Sequence, residues 1–378
     1  MYFTKYRNQI NLVCLTILSS LFFWLVFYLN IPGKIGFNNV TLEAIFANYD
    51  GPNYMVIAKC GYNKNCIGPN FSLSQPLEYY PAHFPGYPFL IKFFNNFTTG
   101  PKAMIFSTLL GSIFLSLILF ELFKLFLKPS KAFWLTIVFL FFPARFYILR
   151  SIGAPETWFL ATTLTSIYFY KKEKYFLSAI FAAFAQLLKS PGILLLASYG
   201  ILAIYDLIKN KNFTLIFKKY FSYVLVPLTI VFIFSIYYLQ TGNFWAYFQS
   251  GDNFHLNFLP YLVFISSKSW INTIWLEEII YILLFSMYGV YRLIKKYKFD
   301  IIAIYPLVFG LATLFVAHRD ISRYISPVYP FLLLAFSKKL NSRPVKFILI
   351  LLIPAIILYS INFVSGNMAP ISDWTNYL

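Results

Sequence analysis

Residues 10–31 read INLVCLTILSSLFFWLVFYLNI, an apolar run without one charged side chain. About 20 such residues in a helix span roughly 30 Å of hydrocarbon. The run is longer than the apolar part of a secretory leader, and Asn30-Ile31-Pro32-Gly33 ends it without a small-x-small cleavage site. It reads as a retained membrane span. Comparable runs predict spans near 9–31, 103–123, 132–149, 155–170, 175–188, 191–208, 221–239, 273–291, 301–317, 324–337 and 345–363. The expected fold is all-α and integral to the membrane, a polytopic bundle of about 11 helices forming one domain over residues 1–378. Composition agrees: 59% of residues are hydrophobic and only 12% charged, about half the charge of a soluble domain.

The formal charge of +18 would suit a nucleic-acid binder, but its placement excludes that partner. Alternate inter-helix segments, such as Lys171/Lys172/Lys174 and Arg292/Lys295/Lys296/Lys298, hold 20 of the 31 basic residues. Lys and Arg mark the cytoplasmic side. The N-terminus is thus expected inside, and an odd number of spans puts the C-terminus outside. The outer segments hold nine of the 13 acids and all three histidines: His83, His255 and His318. Titratable groups gathered on one face suggest chemistry there. The partner surface is the bilayer itself, with the plasma membrane expected for a prokaryotic source and the endoplasmic reticulum for a eukaryotic one.

The longest outer segment, 32–102, is rich in turn formers and aromatics. Tyr54–Lys59 fits a short helix along the interface, and Tyr87–Phe97 a second, amphipathic or re-entrant one. Cys60 and Cys66 are compatible with a small disulfide or with two free thiols; Cys14, inside the first span, reads as inert packing. No Walker loop, dinucleotide glycine fingerprint, HExxH or CxxC pair occurs. Asp50-Gly51 is by itself either a turn or a catalytic carboxylate.

The segment Tyr49-Asp50-Gly51-Pro52-Asn53-Tyr54-Met55-Val56-Ile57-Ala58-Lys59-Cys60-Gly61-Tyr62 resembles the first outer loop of the GPI mannosyltransferase II family and its prokaryotic relatives. These are GT-C glycosyltransferases. The family's usual Trp before the Asp is Tyr49 here. Tyr80-Pro81-Ala82-His83-Phe84-Pro85-Gly86-Tyr87-Pro88 is similar to its second block. Pro155-Glu156-Thr157-Trp158, followed by Lys189-Ser190-Pro191-Gly192, is similar to its third, with Lys189 where Arg is usual. His318-Arg319-Asp320-Ile321-Ser322-Arg323-Tyr324 resembles its last.

The resemblance implies a GT-C-like bundle and an enzyme that transfers a sugar, mannose in the family, from a polyprenyl-phosphate donor at the outer face. The acceptor hydroxyl belongs to a lipid, glycan or protein. Asp50 is the implied base of a single inverting displacement. The leaving phosphate needs positive charge, and Lys189, His318, Arg319 and Arg323 are the candidates, with Arg145 and Arg150 behind them. Arg319 and Arg323 would share a face if helical, with an anion or Asp320 between them. Tyr54, Glu78, His83 and Glu156 are candidates for binding acceptor or sugar, and Gln249–His255 for lining an acceptor groove. Asp50 has no second carboxylate beside it in an Asp-x-Asp pattern, so neither metal nor other cofactor is expected. Rival readings are a GT-C enzyme using another polyprenyl-phosphate sugar and, from a different class, a lipid flippase or secondary transporter.

Overall fold

The computed structural model describes residues 6–73, 75–250, 256–265, 267–371 and 373–378. Helices dominate, and among the described residues there is no β-strand, only isolated bridges at Asn48–Met368 and Leu256–Val316. Each expected span overlaps a helix or a run of short helices. Five helical segments are long and apolar enough to cross a membrane: Arg7–Tyr28, Gly100–Lys124, Ser190–Asn210, Phe213–Thr241 and Arg343–Gly366. Their outward faces are greasy. Leu18, Phe22 and Leu25 on the first helix, and Leu228 and Phe232 on a later one, are about half exposed. Such faces suit hydrocarbon rather than water. The protein is an integral membrane protein.

Other expected spans are shorter or broken. Pro129–Phe141 and Ala144–Leu149 replace the single helix expected over 132–149. Pro143 lacks an N–H and disfavours a helical Phe142, which is extended at φ −121°, ψ 131°. Glu156–Lys171, Tyr175–Leu188 and Ile301–Thr313 hold 16, 14 and 13 residues. At 1.5 Å per residue these are about 20–24 Å long, short of the hydrocarbon core. The helices before and after Lys172–Lys174 pack side by side, and Glu156–Lys171, buried over most of its length, also lies against Gly100–Lys124.

The segments expected on one side do meet at one end of the bundle. At the basic end, Lys171 pairs with Asp300, and Lys219 with Asp206 at 2.8 Å. The opposite end carries the 31–100 segment, folded into six short helical pieces rather than one loop. Helix Gly51–Cys60 begins earlier than expected, and Gly51–Ala58 are buried. It therefore packs inside the protein instead of lying on an interface. Cys60 and Cys66 form a disulfide. Cys14 is exposed on the first helix, so it faces outward and is not core packing.

Residues 367–371 and 373–378 lie back over this segment. Ala369 N–H donates to Ala47 O at 2.8 Å. Lys59 Nζ donates to Asn376 O at 2.7 Å, and Asn376 Nδ2 to Asn70 O at 2.6 Å. Asn48, wholly buried, donates to Val364 O at 2.9 Å.

Candidate functional site

Asp50 occupies the N-cap position of Gly51–Cys60, where an Asp side chain commonly accepts from the first turn. Here it caps nothing. Tyr49, with φ 49°, turns the chain sharply just before it, and the carboxylate looks across the bundle. Oδ2 accepts from Arg323 Nη2 at 3.0 Å, and His83 Nε2 stands 3.7 Å from Oδ1.

Arg323 lies within the single-turn helix Ile321–Tyr324 and its side chain is 11% exposed. Its Nε donates to Glu156 Oε1 at 2.8 Å, and its guanidinium stacks 4.5 Å from the Tyr49 ring centroid. Glu156, the buried first residue of its helix, also accepts from Lys189 Nζ at 2.7 Å. Lys189 lies in an extended link between helix Tyr175–Leu188 and the Ser190–Gly192 turn. Close backbone approaches set that link. A Cβ on Gly86 would sit 2.7 Å from Leu187 O, and one on Gly192 2.5 Å from Gln186 Cα. Four elements thus converge on an alternating chain: Asp50, Arg323, Glu156, Lys189.

Burial works against the Asp50 charge, but the Arg323 guanidinium, with His83 assisting, outweighs it and holds the carboxyl well below the usual carboxylate range. Burial raises the Tyr54 phenol well above its ordinary value, and nearby Asp50 and Glu156 add to this. Tyr54 therefore stays protonated. Its ring meets those of His83 and Tyr87 edge-on, with centroids 5.0 and 5.1 Å away. His83 Nδ1 and Glu156 Oε2 are buried and lack a hydrogen-bond partner among the described residues.

Two cavities meet here. The smaller, about 170 Å³, is lined by Tyr54, His83, Glu156, Lys189, Tyr247 and Tyr324. The larger, about 700 Å³, is lined by Tyr49, Arg145, Trp270, Trp275, Arg319 and Asp320. Asp50, His318 and Arg323 belong to both walls. Among the described residues, no three His, Cys, Asp or Glu side chains are grouped to hold a metal ion.

Asp50, Tyr54, His83, Glu156, Lys189, His318 and Arg323 are thus brought together. Glu78 is not: it pairs with Lys64 at 2.5 Å, is half exposed and lines neither cavity. Arg319 precedes the Ile321–Tyr324 turn and does not share a helical face with Arg323. Arg319 is exposed in the larger cavity, whereas Arg323 turns inward to the carboxylates. Asp320 pairs with neither of them; it takes Arg145 Nε at 2.9 Å and the Tyr49 hydroxyl at 2.7 Å. Arg150 is a packing residue, wholly buried and bonded to Leu140 O, Ser19 Oγ and Ser20 Oγ. Residues 251–255, including His255, lie outside the described residues.

Sequence reasoning missed Tyr79, Tyr247, Trp270 and Trp275 as lining residues. Tyr324 was visible beside Arg323. The others carried no signal beyond being aromatics in wet segments.

No protein-family profile matches the chain, and no curated protein matches its sequence. Solved structures do. The Archaeoglobus fulgidus oligosaccharyltransferase in its apo form matches with a TM-score of 0.52 at 15% identity, over 99% of this chain and 57% of that one. The same organism's oligosaccharyltransferase AglB, in complex with an inhibitory peptide and a dolichol-phosphate, matches with a TM-score of 0.48 at 14% identity and the same coverage, 99% and 57%. The chain spans little more than half the length of these proteins. The likeness is one of fold alone.

Proposed function

We propose that this protein is a membrane glycosyltransferase that moves a sugar from a polyprenyl-phosphate donor to an acceptor hydroxyl, with Asp50 as the base. The observation that carries the reading is the position of Asp50 in the wall between two cavities, beside Arg323 and His318. A base that serves a bimolecular displacement has to reach both reactants. In this reading the donor's sugar phosphate occupies the smaller cavity. Lys189, Arg323 and His318 face its phosphate, and Tyr54, His83 and Tyr247 surround its sugar. The acceptor enters from the larger cavity. Its hydroxyl oxygen attacks the anomeric carbon, Asp50 takes the hydroxyl proton, and the carbon–oxygen bond to phosphate breaks with inversion. Polyprenyl phosphate leaves as an anion stabilised by the cations.

The Asp50–Arg323 ion pair adds an order to these events. While Arg323 is bound to it, Asp50 is too weak a base for the task, since efficient proton transfer needs a pKa near the working pH. A phosphate arriving at Arg323 competes for the guanidinium and restores basicity to Asp50 when the donor is in place. The charge is supplied by Arg323 and Lys189, and the reading needs no metal. The basic end of the bundle supports placing the site on the non-cytoplasmic face. Mannose as the sugar rests on the resemblance in the four sequence blocks.

The test is transfer of labelled mannose from synthetic polyprenyl-phosphate mannose, by purified wild type and Asp50→Asn, with source-cell lipid extract as acceptor. Transfer by wild type and a loss of at least about 100-fold in the variant support the reading. Equal transfer by both removes Asp50 as base. A wild type inert with this donor and with other polyprenyl-phosphate sugars overturns the enzyme reading in favour of a lipid flippase.

A further inference from the structure

The larger cavity holds more positive charge than its acids account for. Arg323 is shared between Asp50 and Glu156, and Arg145 is paired with Asp320. Arg319 remains. It is exposed to the cavity, and among the described residues no acid pairs with its side chain; only its backbone oxygen is used, by Trp275 Nε1 at 2.8 Å. Arg145 is itself incompletely satisfied. Its guanidinium lies 3.9 Å from the Phe363 ring centroid and its Nε meets Asp320, yet its buried Nη1 finds no acceptor. A buried donor without a partner calls for a ligand, ion or water. The nearby side chains fix the plane of the Arg145 guanidinium, and a fixed guanidinium fork suits a carboxylate or phosphate.

The two groups of cations face different cavities. Lys189 lines only the smaller cavity, and Arg145 and Arg319 only the larger. Asp50 lies between them. Resting on the glycosyltransferase reading, we propose that the acceptor is itself an anion, a sugar or alcohol bearing a carboxylate or phosphate that Arg145 and Arg319 grip in the larger cavity. Its hydroxyl then points at Asp50 across the shared wall. Trp270 and Trp275 supply flat apolar faces of the kind on which a sugar ring stacks. This anion site also selects: a neutral acceptor leaves the buried Arg145 Nη1 unmet, and an unmet buried donor penalises the wrong ligand more than a missing methylene does.

The experiment measures binding, so it does not depend on turnover. Dodecyl glucuronide and dodecyl glucoside are titrated into the full-length protein in nanodiscs, with methyl glucuronide as the arm that separates a lipid-borne acceptor from a soluble one. Polyprenyl phosphate is titrated separately. Dodecyl glucuronide, methyl glucuronide or both are expected to bind at least about tenfold more tightly than the glucoside, the yield of one charge-assisted contact. Arg319→Gln should remove that preference and leave polyprenyl phosphate affinity within about twofold. The Arg319 side chain pairs with no acid among the described residues, so the variant is expected to keep the fold; Arg145→Gln, which also loosens Asp320, is the second variant and should act in the same direction. Equal binding of glucuronides and glucoside by wild type overturns the proposal. So does an Arg319→Gln variant that loses polyprenyl phosphate and glucuronide in parallel, because the two cavities would then be one anion site. A wild type that prefers glucuronide but ignores polyprenyl phosphate keeps the anion site and sinks the donor reading instead.

Discussion

Replacing Arg323 by Gln removes a side chain that touches both Asp50 and Glu156. At about 3 Å and an effective dielectric near 20, each contact is worth about 5 kcal/mol before desolvation. Breaking a buried pair by deleting one partner costs about 3–5 kcal/mol in practice. Glu156 keeps Lys189 at 2.7 Å, so the loss falls mainly on Asp50, and the low end, about 3 kcal/mol, is expected. At about 2 °C per kcal/mol for a chain of this length, the melting temperature should fall by about 6 °C.

The loss should depend on pH. In the wild type the Asp50 carboxyl is held low, so its stabilisation is present above the ordinary carboxylate range and is lost only in stronger acid. Without Arg323 burial dominates and raises the carboxyl. A raised group contributes stability below its unfolded value and loses it as pH climbs through the folded value. The gap between wild type and variant should therefore be widest near pH ~8 and shrink toward pH ~5. Adding Asp50→Asn should recover at least about half of the loss, since a neutral amide costs less to bury than a lone charge. The assay is thermal unfolding in detergent followed by tryptophan fluorescence. A pH-independent gap, or a double variant no better than the sum of the singles, would refute this account of the ion pair.

Two further outcomes follow from the site's supports. Gly86→Ala should lower stability by about 1–3 kcal/mol, because its Cβ meets Leu187 backbone rather than a side chain that can swing away; the same push should displace Lys189 and raise the apparent KM for donor, measured in the transfer assay. Alkylation of the denatured, unreduced protein should label Cys14 alone, with Cys60 and Cys66 reacting only after reduction, and the double Cys→Ser variant should lose about 2 kcal/mol in the unfolding assay.

The spans were legible because hydrocarbon allows few solutions: runs such as Ile10–Ile31 have no other stable use. Asp50 and Glu156 stood out through the resembling blocks, and Lys189 and Arg323 also as charges at helix ends on the side poor in Lys and Arg; the structure brings these four together. Their pairing was not legible. Arg323 was expected to share a face with Arg319, but only one helical turn forms after Asp320, and the direction of a single turn is set by what it packs against. Glu78 looked available until the fold brought Lys64 beside it. The Tyr49–Asp320 hydrogen bond joins residues 271 apart, beyond any local pattern. Arg150 looked like an anion ligand because nothing local reveals that three oxygens from two other segments will enclose it.

The return of residues 367–371 and 373–378 over the Asp50 segment has a consequence for how the protein is made. Asn48 and its acceptor, Val364 O, are 316 positions apart, so the Asp50 segment leaves the ribosome long before the residues that brace it. Contacts of such separation form late. Until the last segment docks, Lys59 lacks its acceptor Asn376 O, and the larger cavity lacks the wall supplied by Asn367, Met368 and Ala369. The charged chain itself, whose most C-terminal member is Arg323, is made before the segment that walls the larger cavity.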